Sequence, residues 1–169
     1  MSKTFARTDA LAAALLLLWA GMVLGFAFLM APLLFSLLPS RDLAGQIAGQ
    51  VVGRLDLMAW FAFGGAMALV LAPRWLQEVR DADGLGPQRL WGAAALVALL
   101  VCFASAFIVT PRLQEMRARM NGPVETLELG SPERTAYQKA HGISRQFMGL
   151  RLLLALALAG GVAVLPRKS

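Results

Sequence analysis

Four apolar runs set the terms on which this chain can fold. Residues 10–38 contain no charged side chain, residues 43–72 contain two, Arg54 and Asp56, and residues 90–109 and 152–165 are again uncharged. At 1.5 Å per residue, a hydrocarbon core about 30 Å thick takes roughly 20 residues of helix. The first two runs exceed that length and the third matches it. The fourth falls roughly six residues short, so residues from about 146 onward must enter the bilayer, and they bring Arg151 with them. Charged residues make up only 15% of the chain, against about 25% in a soluble domain. The class is therefore a polytopic membrane protein.

The first run is too long for the apolar part of a signal peptide and is not followed by a small-x-small cleavage signature, so it is expected to remain as a span. The second run, counted back about 20 residues from Ala72, meets the bilayer edge near Gly53. Asp42 to Gln50 then project beyond the hydrocarbon, and Arg54 and Asp56 sit just inside it. Pro73-Arg74 is expected to stop this helix, and residues 73–88, with Arg74, Glu78, Arg80, Asp81, Asp83-Gly84 and Gly86-Pro87, read as an exposed connector. Arg89 opens the third span and Thr110-Pro111 marks its end. Beyond it, Glu115 and Arg119 have the spacing of a helical ion pair. After the Asn121-Gly122-Pro123 break, Ser131 and Pro132 carry the chemistry of an N-cap and a first helical residue.

The expected fold is all-α: one domain over residues 1–169, an antiparallel four-helix transmembrane bundle. Its spans are about 10–31, 43–72, 90–109 and 143–165, and its helices extend beyond the bilayer on the side of the first and third loops. Both termini share the other side. Lys3, Arg7, Arg74, Arg80, Arg89, Arg167 and Lys168 lie there, against Arg41, Arg112, Arg117, Arg119, Arg134 and Lys139 on the loop side. The positive-inside rule favours cytoplasmic termini by that one charge, as in a bacterial inner-membrane protein.

Two stripes mark the second helix. Gly45, Gly49 and Gly53, spaced by four, are expected to pack closely against Gly21 and Gly25 of the first, since membrane helices approach through small residues. A homodimer face or a ligand passage is the other use of such a stripe. Beside it run Asp42, Gln46, Gln50 and Arg54, which could line a polar cavity but read more readily as the wet or intersubunit side of a protruding helix. Arg54, Asp56 and Arg151 fall at one depth, just inside the loop-side face, where an ionisable group is costly unless it snorkels or meets a partner. Positions two apart on a helix point away from each other, so Asp56 is expected to pair with Arg151 or another cation from a neighbouring helix. His141, Ser144, Arg145, Met148 and Arg151 share roughly one face of the fourth helix. The candidate polar site is thus Arg54, Asp56, His141, Arg145 and Arg151. A histidine beside a carboxylate can relay protons, whereas a lone histidine at a helix start more often serves the interface.

Several chemistries are disfavoured. A single histidine rules out haem held by two, and the single cysteine, Cys102, forms no intramolecular disulfide and begins no structural metal site. No phosphate loop, dinucleotide fingerprint, zinc-protease motif or nucleophile elbow occurs. The eight methionines are dispersed as packing residues, although Met116 and Met120 share a helix face. No catalytic residue, metal or cofactor is expected. The net charge of +6 is scattered over the ends of apolar runs, which argues against nucleic acid and for anionic headgroups of the lipid bilayer as the partner. A homo-oligomer or a membrane-protein partner is the other expectation. Trp75 and Trp91 stand where an aromatic belt would lie on the terminal side.

With Leu18-Trp19-Ala20-Gly21, Ala31-Pro32-Leu33-Leu34-Phe35, Ala44-Gly45 with Gly49, Thr110-Pro111-Arg112 and His141-Gly142-Ile143-Ser144 in this order, the chain resembles the transmembrane protein 205-like family, a domain of unknown function. The resemblance runs over about residues 18–153. It implies a four-helix integral membrane protein without an assigned enzymatic activity. The function expected is that of a non-enzymatic scaffold, accessory subunit or stress-related factor. The alternative is an oligomeric transporter or channel module with a polar vestibule around Arg54, Asp56, His141 and Arg151.

Overall fold

The structure, a computed structural model, describes residues 2–81, 86–120 and 123–165, with side chains for 5–75, 87–120, 123–124 and 126–165. The expected turn at Asp83-Gly84, the Asn121-Gly122 break, Arg167 and Lys168 lie outside the described residues. Among the described residues there is no strand. These residues form six α-helices in order: α1 (Ser2–Gly25), α2 (Ala31–Leu37), α3 (Arg41–Asp81), α4 (Gly86–Ala104), α5 (Thr110–Arg119) and α6 (Pro132–Val162). A π-turn, Phe26–Met30, joins α1 to α2, and a second, Ser105–Val109, joins α4 to α5. The helical paths therefore number four. Each is long and apolar enough to cross a membrane: Phe5–Leu37, Arg41–Trp75, Pro87–Arg119 and Pro132–Val162. At 31 to 35 residues, each exceeds the hydrocarbon thickness, as the extended-helix expectation requires. The protein is an all-α, four-helix, multi-pass membrane fold.

Two expected helix ends are corrected. Pro73 does not stop α3, which runs on to Asp81 with the proline inside it. Likewise Thr110-Pro111 does not end its helix, and the first helical path runs on through Ala31-Pro32 to Leu37. Proline has no N–H to give to the preceding turn and its ring crowds the carbonyl four residues back. Before Pro32 and Pro111 the chain widens by one residue, and the helix then continues. The Ala31 N–H reaches Phe26 O and the Thr110 N–H reaches Ser105 O, both across five residues. The start of α6 is as expected: Ser131 accepts a hydrogen bond from the Arg134 N–H, and Pro132 is the first helical residue. Gly130, at φ 88°, supplies the left-handed turn that brings the chain to that cap.

The bundle is a four-cornered ring. Helix α1 packs on α3 and α6, and α4 packs on the same two, so α1 faces α4 and α3 faces α6 across the diagonals. Each helix is antiparallel to both of its neighbours. The faces that close the ring carry Ala12, Leu16, Trp19, Ala20 and Val23 on α1, and Leu55, Ala59, Ala62, Phe63, Ala66 and Val70 on α3. Ala95, Ala98 and Cys102 on α4, with Ala155, Leu158, Ala159 and Val162 on α6, complete them. Spacings of three and four keep each set on one face. Small residues do bring the backbones together, but they are alanines.

The glycine expectation is corrected accordingly. A Cβ added at Gly21, Gly25, Gly49 or Gly53 would meet open space. The inward stripe of α3 is set by Ala44, Leu55 and Ala59, which turns the glycines away from α1. Gly45 alone of the five sits against another side chain, and that is Arg117 of α5, whose Nη1 lies 3.1 Å from the position of a Cβ. Trp91 also departs from the belt expectation. It is buried and donates its indole N–H to Leu158 O at 3.0 Å, whereas Trp75 is exposed.

Candidate functional site

Of the five residues expected to form a polar site, the structure brings two together. Arg151 of α6 reaches Asp56 of α3 across the bundle diagonal, with Nη1 to Oδ1 at 2.6 Å and both side chains nearly inaccessible. Arg54 is exposed on α3, and His141 and Arg145 are exposed on the outer part of α6, where Tyr137 stacks on the His141 ring at 6.2 Å between centroids. Ten residues of helix, about 15 Å, separate His141 from Arg151.

Every corner of the ring contributes to the buried pair. From α1, the Trp19 ring lies 5.7 Å from the Arg151 guanidinium carbon, and its indole N–H donates to Leu55 O at 2.9 Å. Thr110, at the start of α5, donates its hydroxyl to Asp56 Oδ2 at 2.9 Å, and Ser105 approaches the same oxygen at 3.5 Å. From α4, Cys102 is buried in the same core. The ion contact runs off the hydrogen-bond direction at Asp56 Oδ1 and Arg151 Nη1, so it is an end-on charge contact rather than a fork. The hydroxyls take up the acceptor capacity left on the other carboxylate oxygen.

The second π-turn explains how two hydroxyls reach one oxygen. In an α-helix, residues five apart point about 140° away from each other. Here the Thr110 N–H closes directly on Ser105 O, which stacks the two residues and turns both side chains toward Asp56. The sequence signal was the Thr110-Pro111 step, read only as an end.

A second buried pair was not anticipated. Asp9 of α1 and Arg74 of α3 form a two-pronged contact, Nη1 to Oδ1 and Nη2 to Oδ2, each at 2.8 Å. Arg74 also donates to Val70 O at 2.9 Å, and the Phe5 ring lies 5.3 Å from its guanidinium. Eighteen residues separate Asp56 from Arg74 on α3, about 27 Å of helix. The two pairs therefore bracket a layer close to one hydrocarbon thickness. The depth rule that paired Asp56 with Arg151 would have paired Asp9 with Arg74, had Pro73 not been read as the end of the helix.

Outside that layer, Arg117 of α5 ties α5 to the start of α3, donating to the carboxylate of Asp42 and, at 2.7 Å, to Asp42 O. Gln46 donates to the same carboxylate. Gln46, Gln50 and Arg54 are exposed, in line with the wet-side reading of that stripe. The expected Glu115–Arg119 pair is present and exposed. Among the described residues, no three His, Cys, Asp or Glu side chains come together as a metal site.

Neither the curated proteins nor the solved structures compared with this chain gave a match. A family model does, over residues 14–122, from α1 through the second π-turn and α5. That segment holds Asp56, Ser105, Thr110 and Arg74, while Asp9 and Arg151 fall outside it. The match names no narrower family, and the transmembrane protein 205-like resemblance stays with the residue motifs that carry it. The chain belongs to the family described as domain of unknown function DUF4149.

Proposed function

We propose that this protein is a non-enzymatic scaffold or accessory subunit of the membrane, acting through helix contacts and through the helix ends that project on its loop side. The observation that carries this reading is the partition of its polar side chains. Asp56 and Arg151 are spent on each other and on two hydroxyls in a closed core. Arg54, His141 and Arg145 are exposed and do not join them. A conduit calls for ionisable groups facing a shared wet cavity, and a cross-tie calls for groups that satisfy one another. The transmembrane protein 205-like resemblance agrees with this reading. We further propose a bacterial inner-membrane location with cytoplasmic termini, on the one-charge bias.

The test uses purified full chain in two assays. In reconstituted vesicles, the reading expects no solute or pH-dependent flux above protein-free vesicles, in the wild type and in Asp56→Asn alike. Gentle extraction followed by native mass analysis is expected to retain a stoichiometric membrane-protein partner or a defined homo-oligomer. Flux that disappears in Asp56→Asn would reject the scaffold in favour of an oligomeric transporter or channel module.

A further inference from the structure

We infer that the outward face of the second π-turn and α5 is a binding site for an anionic phospholipid of the surrounding bilayer. A groove of about 560 Å³ runs along this face, lined by Phe107, Ile108, Arg112, Glu115, Met116 and Arg119 among others. Phe107 and Ile108 are well exposed there. Phe107 is held in place by ring contacts to Trp60 and Phe103, at 6.2 and 4.8 Å between centroids.

The groove crosses the membrane boundary. Thr110 touches Asp56, which marks the loop-side edge of the hydrocarbon, so Phe107 and Ile108 lie just below that edge. Arg112 lies about 3 Å above it, and Arg119 about 13 Å. The interfacial layer on each face is roughly 5–8 Å thick. Acyl-chain depth is therefore matched by aromatic and aliphatic side chains, and headgroup depth by Arg112.

Charge fixes the class of lipid. Glu115 is engaged by Arg119, which leaves that pair neutral. Among the described residues, Arg112 has no carboxylate partner, so the groove carries one net positive charge at phosphate level. A guanidinium recognises phosphate oxygens through paired N–H donors. A lipid with net negative charge gains from it, whereas a zwitterion brings its own ammonium. The inference does not depend on whether the bundle is a scaffold or a conduit.

The test is lipid retention by the full chain in nanodiscs of equal parts phosphatidylglycerol and phosphatidylcholine, read by native mass spectrometry after detergent extraction. The wild type is expected to retain phosphatidylglycerol over phosphatidylcholine. In Arg112→Gln the preference should fall about fivefold, the weight of one basic residue at a membrane surface. Arg112→Lys, which keeps the charge but not the paired donors, should fall between the wild type and Arg112→Gln, and Lys139→Gln, exposed on α6, should leave the preference unchanged. Soluble glycerophosphate should not displace the lipid, because it lacks the chain that lies on Phe107 and Ile108. Equal retention of the two lipids, an unaltered preference in Arg112→Gln, or full displacement by glycerophosphate would each overturn the site. A well-folded Arg112→Lys protein guards against misfolding as the cause of a loss.

Discussion

Asp9–Arg74 and Asp56–Arg151 are both buried ion pairs between helices, yet they are built differently. The first joins neighbouring corners of the ring, where close approach lets a guanidinium lie flat against a carboxylate with two parallel contacts. The second spans the diagonal, and Arg151 reaches Asp56 end-on. Geometry alone would rank the forked pair as the stronger, but position reverses the consequence of breaking it. Both pairs lie near an edge of the hydrocarbon, but between neighbouring helices at the terminal-side edge a lone Arg74 can turn to headgroups or water by a short movement. On the diagonal of the ring at the loop-side edge, a bereft Arg151 or Asp56 is enclosed by α1, α3, α4 and α6. The worth of a buried charge pair here is set less by its own contact than by where a lone partner can go.

The largest expected effect follows directly. Asp56→Ala leaves Arg151 charged and enclosed and should cost about 3–5 kcal/mol, read by reversible unfolding in mixed detergent micelles. Asp9→Ala leaves Arg74 near the interface, where it keeps its bond to Val70 O, and should cost about 1–2 kcal/mol, between the buried and exposed limits. Equal losses in the two variants would break the distinction between the diagonal and the neighbouring corners.

Trp19→Phe keeps a ring under Arg151 but removes the indole donor to Leu55 O. The expected loss is about 0.5–1.5 kcal/mol, again by unfolding. Smallest are the glycines. Gly49→Ala and Gly53→Ala place a methyl in open space and should stabilise α3 by about 0.5–1 kcal/mol each. Gly45→Ala should gain less or lose, since the new methyl meets the Arg117 guanidinium that holds Asp42. If all three behave alike, the glycine stripe faces something other than what these contacts describe.

Much of this was legible in the sequence, for identifiable reasons. Apolar length marks a span whatever the packing, so the four helical paths could be counted off. Asp56 interrupts an apolar run and the shortness of the fourth run carries Arg151 to the same depth, so depth put Arg151 first among the cations of neighbouring helices that could pair with it. Asp9 and Arg74 sit where a run begins and ends, and a proline read as a terminator hid their shared level. The π-turns were not legible, because Pro32 and Pro111 mark where a helix must adjust without saying whether it stops or widens. The glycine stripe misled for a related reason. A missing Cβ permits close approach but does not direct it, and the direction of α3 was set by Ala44, Leu55 and Ala59. His141 and Arg145 share a coarse face with Arg151, but they lie turns away along α6, beyond where the ring closes.

The most direct test is a double-mutant cycle across the diagonal, comparing Asp56→Ala, Arg151→Met and the two combined in unfolding free energy. If the pair is a structural tie whose members are needed for each other, each single variant loses about 3 kcal/mol or more. The double variant, which leaves no charge behind, returns to within about 1–2 kcal/mol of the wild type. A double variant as unstable as the sum of the singles would contradict it, because Asp56 and Arg151 would then be acting separately.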